Sequence, residues 1–268
     1  GNHDSFIDQR FFSQPNIYVY ASPTHLNLNN VILLLIPYKP NINMTEVLDE
    51  YYPHNTNTPI IIISHADYID FNKELNHYEP GIYMPITKKD IQKYNPHKII
   101  LGHIHKPIEL DKVIYLGSPY PLDSSETGKK RYIVLDTNTA NFKSQTIDND
   151  VIYLKINLII FPHPDIISFL KSQITTTLYN NNIQPSEWHK LIVDITLKGY
   201  TENKNLLIQQ LSNLLSDLNI NTTINTDKLR VSTTSDDFID IIRATINKTD
   251  LLLNTNVNLN MHKHDIIH

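Results

Sequence analysis

Hydrophobic residues in this chain come in short runs, and two rhythms follow one another. From Ile17 to about Asp136 the runs are Ile17 to Tyr20, Val31 to Ile36, Ile60 to Ser64, Lys98 to Gly102, Val113 to Gly117 and Arg131 to Leu135. They are β-rich and separated by turns, which predicts largely buried strands of a layered α/β domain. Two short helices are predicted among them: Thr45 to Tyr52, with Thr45 as candidate N-cap ahead of Glu46, and Lys88 to Tyr94, capped by Thr87 ahead of Asp90.

From Asn138 to Asp150 the chain turns polar, and a different alternation follows. It predicts strand Ile152 to Ile160, helix Asp165 to Leu178, strand Lys190 to Leu197, helix Asn203 to Leu218, strand Lys228 to Val231 and helix Asp236 to Ile246. Leu206, Leu207, Leu211, Leu214 and Leu215 make an apolar face suited to packing on a sheet. The expected organisation is an α/β domain over residues 1–137, a smaller α+β unit over 150–249 and a tail over 250–268.

With 268 residues and 40% hydrophobic content the chain is long enough to bury a core. Its longest apolar run, Val31 to Ile36, is far short of the roughly 20 residues a membrane span needs, and no signal segment opens it. A soluble, cytoplasmic protein with no membrane partner is expected. Without cysteine, any metal must be held by His, Asn, Asp or Glu, a donor set that suits Mn²⁺, Mg²⁺ or Fe²⁺. The net charge of -5 argues against non-specific coating of nucleic acid, while phosphates can still meet a local basic face or bound cations.

Of thirteen histidines, His25, His54, His77, His97, His163 and His189 stand alone and are expected to be ordinary polar residues, with His262, His264 and His268 in a solvated tail. The other four occupy motifs: Gly1-Asn2-His3-Asp4, Ser64-His65-Ala66-Asp67 and Gly102-His103-Ile104-His105. The second and third stand where apolar strands run out into loops, the place where open α/β sheets bind ligands. His103 and His105 share one side if extended, and Gly102 permits a sharp turn there, so both rings can reach neighbouring ions. The chain has no Gly-x-Ser-x-Gly elbow and no Walker-type phosphate loop, which argues against covalent catalysis and ATP hydrolysis.

The ordered series Gly-Asn-His-Asp, His-Ala and Gly-His-Ile-His resembles the calcineurin-like metallophosphoesterases, whose fold is a double-sheet α/β sandwich with a two-metal site at the strand ends. The resemblance implies that Asn2, His65 and His103 hold one ion and that His105 reaches the other. It also implies that His3 faces the scissile phosphate as proton donor or charge stabiliser, with Asp4 orienting His3. Lys106-Pro107, the run from Val113 to Asp123 with Gly117-Ser118-Pro119 inside it, and then Glu126 are similar to the SbcD-type nuclease subunits of double-strand-break repair. Those nucleases carry a capping domain where the second unit stands here.

What that implies is a metal-dependent exo/endonuclease hydrolysing phosphodiesters at DNA ends with two divalent ions, Mn²⁺ foremost. Its partners would be DNA ends and an SbcC-like ABC-type ATPase with a long coiled coil, the nuclease forming a homodimer within a heterotetramer. Lys106, Ser118, Lys129, Lys130 and Arg131 would meet the DNA. The Asp-x-His and Gly-Asp motifs that precede Gly-Asn-His-Asp in the family do not occur here. The expectation is therefore the C-terminal part of an N-terminally truncated sandwich, inactive alone and lacking the first strands of its sheet. Two alternatives stand beside this one: another metallophosphoesterase, such as a phosphodiesterase or phosphatase, and a non-catalytic scaffold subunit that docks the ATPase.

Overall fold

The computed structural model describes residues 1–4, 7, 9–12, 14–69 and 81–231, in two compact units that divide between Tyr153 and Leu154. The first unit contains strands β1 (Thr24–Leu28), β2 (Val31–Ile36), β3 (Ile60–His65), β4 (Tyr68–Ile69), β5 (Ile86–Thr87), β6 (Lys98–Gly102), β7 (Ile108–Glu109), β8 (Val113–Tyr115), β9 (Arg131–Asp136) and β10 (Asn141–Thr146). Helices α1 (Met44–Tyr51) and α2 (Lys88–Tyr94) connect them. A six-stranded sheet runs in the order β1-β2-β3-β6-β8-β7. It is mixed: β2, β3, β6 and β8 are parallel, and the outer strands β1 and β7 are antiparallel to their neighbours.

The parallel strands are near-continuous apolar runs because both faces of the sheet are covered. On one face Leu34, Ile62, Ile99 and Leu101 pack with Met44 and Leu48 of α1 and with Tyr94 of α2. On the other, Val31, Ile61 and Ile100 pack with Ala140 and with Ile133, Leu135 and Phe142 of the β9–β10 hairpin. The polar stretch expected to part the domains therefore contains a strand. β10 alternates polar residues with few apolar ones, and it exists because β9 supplies its backbone ladder.

The helix starts follow their capping chemistry. At α2 the Thr87 hydroxyl accepts from Asp90 N–H, and Asp90 accepts in return from the Thr87 N–H at 2.8 Å. At α1 the cap is Asn43 rather than Thr45, because the Glu46 carboxylate reaches back to the Asn43 N–H at 2.9 Å. Thr45 donates to Asp90 at 2.6 Å and so ties one helix to the other. Burial opposes ionisation of Asp90, but the hydrogen bonds from Thr45 and Thr87 outweigh it and hold the carboxyl below its ordinary range. The run Ile17 to Tyr20 is not a strand: Tyr18 is 71% exposed, and the first ladder begins at Thr24.

The second unit is a three-stranded sheet in the order β11 (Ile152–Ile160), β12 (Leu191–Thr201), β13 (Asn221–Val231), with helices α3 (Ile166–Asn180) and α4 (Lys204–Asp217). Leu154, Ile156, Leu158 and Ile160 alternate into its core. On α4 the buried residues are Leu207, Leu211 and Leu215, while Leu206 is exposed, so the apolar face is narrower than predicted. β13 begins well before Lys228, in a polar Asn-Thr stretch paired in parallel with β12. The predicted helix Asp236 to Ile246, the tail over 250–268 and His77 lie outside the described residues. The chain is thus mixed α/β, built on a multi-strand mixed sheet with few helices. Among the described residues no helix is long and apolar enough to cross a membrane.

Candidate metal centre

Strands β3 and β6 are parallel neighbours in a register that sets His65 opposite Gly102. That pairing brings the second and third histidine motifs together at the carboxyl ends of the strands, with the rings of His65 and His103 at 5.2 Å between centroids. A Cβ on Gly102 would stand 2.9 Å from His65 Nδ1, so the imidazole occupies the space a side chain there would fill. The expected role of Gly102 as the turning point is corrected by the backbone. His103 itself carries the left-handed conformation, φ +86°, and Gly102 ends β6 as an ordinary strand residue. A non-glycine residue in that region is costly and held only by its surroundings. The turn also parts the two histidines, since His103 is buried and His105 is exposed.

The first motif joins this pair from the chain's beginning. Asn2 Oδ1 lies 2.7 Å from His65 Nε2. An amide oxygen only accepts, so the ring N–H donates in this contact, and an ion that displaced the proton would find both atoms beside it. The donor set, an amide oxygen with imidazole nitrogens, suits a hard or borderline divalent ion. Among the described residues no group of three or more His, Asp or Glu side chains is gathered to hold an ion.

Behind His103 stands a residue given no role from sequence. Asp67 Oδ1 is 3.7 Å from His103 Nε2, and its other oxygen accepts from the Tyr83 N–H at 2.8 Å. The Tyr83 ring lies 4.7 Å from the His103 ring, and Tyr38 approaches His65 edge-on at 6.3 Å. Tyr115, fully buried, pins the connecting loop by donating to Ala66 O at 3.0 Å and accepting from Tyr68 N–H at 2.7 Å. Its burial pushes the phenol well above its ordinary range, so it serves as a fixed strut.

His105 is held from a different side. Its Nδ1 is 2.7 Å from Glu126 Oε1, while Ser118 donates to Glu126 Oε2 and Lys130 Nζ sits 3.0 Å from that oxygen. Burial, the largest influence on Glu126, disfavours its charge, yet the bonds from Ser118, His105 and Lys130 prevail and bring its carboxyl down to about 2. Gly117, at φ +83°, lets this turn pass beneath His105; a Cβ there would meet the His105 carbonyl at 2.7 Å.

Other predicted residues are placed differently. His3 is exposed, its Nε2 3.3 Å from the Asn2 amide nitrogen. The Asp4 carboxylate, expected to orient His3, sits 3.2 Å from the Gly1 amino group, because a turn closed by Asp4 N–H to Gly1 O folds it back. Of the basic residues, Lys106 is exposed and Lys129 half-buried. Lys130 is 2% exposed with its ammonium between Glu126 and Ser118, so it does not face a phosphate. Arg131 reaches Glu109 at 3.2 Å and Tyr115 O at 3.4 Å, and Ser118 is buried against Glu126. Asp67 and Glu126 were visible only as members of their motifs.

Two clefts lie away from these residues. One of about 550 Å³ is lined by Tyr52, His54, His97 and Lys112, and one of about 210 Å³ by Phe161, His163 and Tyr200. Compared with known proteins, the chain matches no family model and no curated sequence.

Proposed function

We propose that this chain is part of a metal-dependent phosphodiesterase acting on DNA ends, with the double-sheet sandwich of the calcineurin-like metallophosphoesterases and the partnership of the SbcD type. The observation that carries this reading is that His65 meets both Asn2 and His103 at the carboxyl ends of the central strands β3 and β6, so that residues of all three motifs come together. Asn2, His65 and His103 would hold one divalent ion and His105 would serve the other. A pair of such ions, Mn²⁺ foremost, supplies an acidified water and charge neutralisation at the phosphodiester.

The chain's own residues supply the rest. His3, exposed beside Asn2, would donate a proton or a charged hydrogen bond to a phosphate at that site. Exposed Lys106 follows His105 directly and offers a sequence-independent contact to the DNA backbone. The ABC-type ATPase would be the partner that presents the DNA end.

The test is hydrolysis of end-labelled duplex DNA with Mn²⁺ by this chain, alone and joined to a segment bearing the Asp-x-His and Gly-Asp motifs. Cleavage that requires His65 and His103 supports the proposal. Hydrolysis of small phosphoesters without DNA cleavage would move the reading to another phosphoesterase, and inertness of the Mn²⁺-loaded protein on both would leave a scaffold.

A further inference from the structure

Glu126 is 10% exposed in its side chain and is surrounded by donors. Its Oε2 is taken by Ser118 and by Lys130 at 3.0 Å, and Lys130 also reaches Ser118 Oγ at 3.1 Å. Its Oε1 faces His105 Nδ1 at 2.7 Å. The two halves of this arrangement are tied at the backbone as well, where Ser118 N–H donates to the His105 carbonyl at 3.1 Å. An ammonium and a hydroxyl directed at one oxygen keep the carboxylate as an acceptor, so the imidazole must offer it the Nδ1 proton.

We infer that Glu126 is a positioning residue that locks His105 as its Nδ1–H tautomer and so turns the lone pair of Nε2 toward solvent, where a divalent cation can be bound. The inference rests on the metal-site reading proposed above. Ser118 and Lys130 are part of the same device: they fix which oxygen of Glu126 is left for His105. A carboxylate behind a metal-binding imidazole sets the ring's orientation and raises its basicity. The His105 side chain is 52% exposed, and Glu126 is its hydrogen-bond partner.

The arrangement makes Glu126→Gln a discriminating change. Lys130 and Ser118 both demand an acceptor, so the amide oxygen of Gln takes the Oε2 position and its NH₂ faces His105. Nδ1 must then accept, and the proton moves to Nε2, which blocks the lone pair. A residue that only braced the loop would leave the tautomer untouched.

The experiment is long-range ¹H–¹⁵N NMR of the neutral imidazoles in the metal-free chain, with His105 assigned by its loss in His105→Asn, followed by titration with Mn²⁺ alone. The expected result is Nδ1–H in the wild type, Nε2–H in Glu126→Gln, and a Mn²⁺ affinity lower by about 10- to 100-fold in the variant. An Nε2–H wild type overturns the inference, and so does a Gln variant that keeps both tautomer and affinity. Should the variant fail to fold, the wild-type spectrum decides alone. The expected tautomers and affinity loss, together with no DNA cleavage, would sink the nuclease reading and leave this inference standing.

Discussion

Asn2 and His65 meet at 2.7 Å although 63 positions separate them. The contact depends on the space above Gly102, which the His65 ring fills. Gly102→Ala is therefore expected to push the imidazole off Asn2 and weaken Mn²⁺ binding by at least about 10-fold, the scale of disturbing a ligand's support. Calorimetric titration measures it. The accompanying loss of stability should stay within about 1–3 kcal/mol, the usual cost of overpacking. A variant that binds Mn²⁺ as the wild type does would show that His65 is not a ligand.

His3 is exposed, with its Nε2 3.3 Å from the Asn2 amide nitrogen. In the Mn²⁺-loaded, cleavage-competent protein His3→Ala should lower kcat by about 10² to 10⁴, the range for a lost general acid, with Mn²⁺ affinity unchanged. His103→Ala should impair both. Loss of metal binding in His3→Ala would move His3 from the phosphate to the metal.

The depressed carboxyl of Glu126 carries a pH dependence. Its ordinary value is 4.5 and in the folded chain it lies at about 2. The unfolded chain therefore takes up this proton first as pH falls. The stabilisation from Glu126 is fully present above about 4.5 and is lost progressively as pH drops toward about 2. Urea midpoints measured across that window should fall more steeply for the wild type than for Glu126→Gln. Parallel curves would contradict the buried charge cluster.

Lys130 and Lys106 are opposite in exposure. Lys130→Met removes the ammonium beside a buried carboxylate and should cost about 3 kcal/mol in chemical denaturation. It should leave the salt dependence of DNA binding unaltered, whereas Lys106→Ala should reduce the slope of log K against log salt by about 1. A Lys130 effect on that slope would mean the side chain leaves Glu126 when DNA binds.

What the amino-acid sequence determined by itself is what short-range physics controls. The apolar runs Ile60 to Ile63 and Ile99 to Leu101 are strands because nothing else suits a β-branched run buried on both faces. The Thr87–Asp90 cap spans three residues and is equally local. The second and third histidine motifs are legible for the same reason, since each is a strand end and the loop after it.

The tertiary structure decided whatever depends on a distant neighbour. β10 and the first half of β13 are polar segments made into strands by the ladders of β9 and β12, which no local hydrophobic pattern records. Thr45 carries its own cap signal, yet Glu46 reaching Asn43 and Asp90 arriving from the next helix reassign it. Lys130 reads as a surface base in a basic run and becomes a buried counter-ion only because the turn at Gly117 brings Ser118 and Glu126 against it. Which histidine faces inward was likewise set by one backbone angle, at His103, that neighbouring residues alone do not dictate.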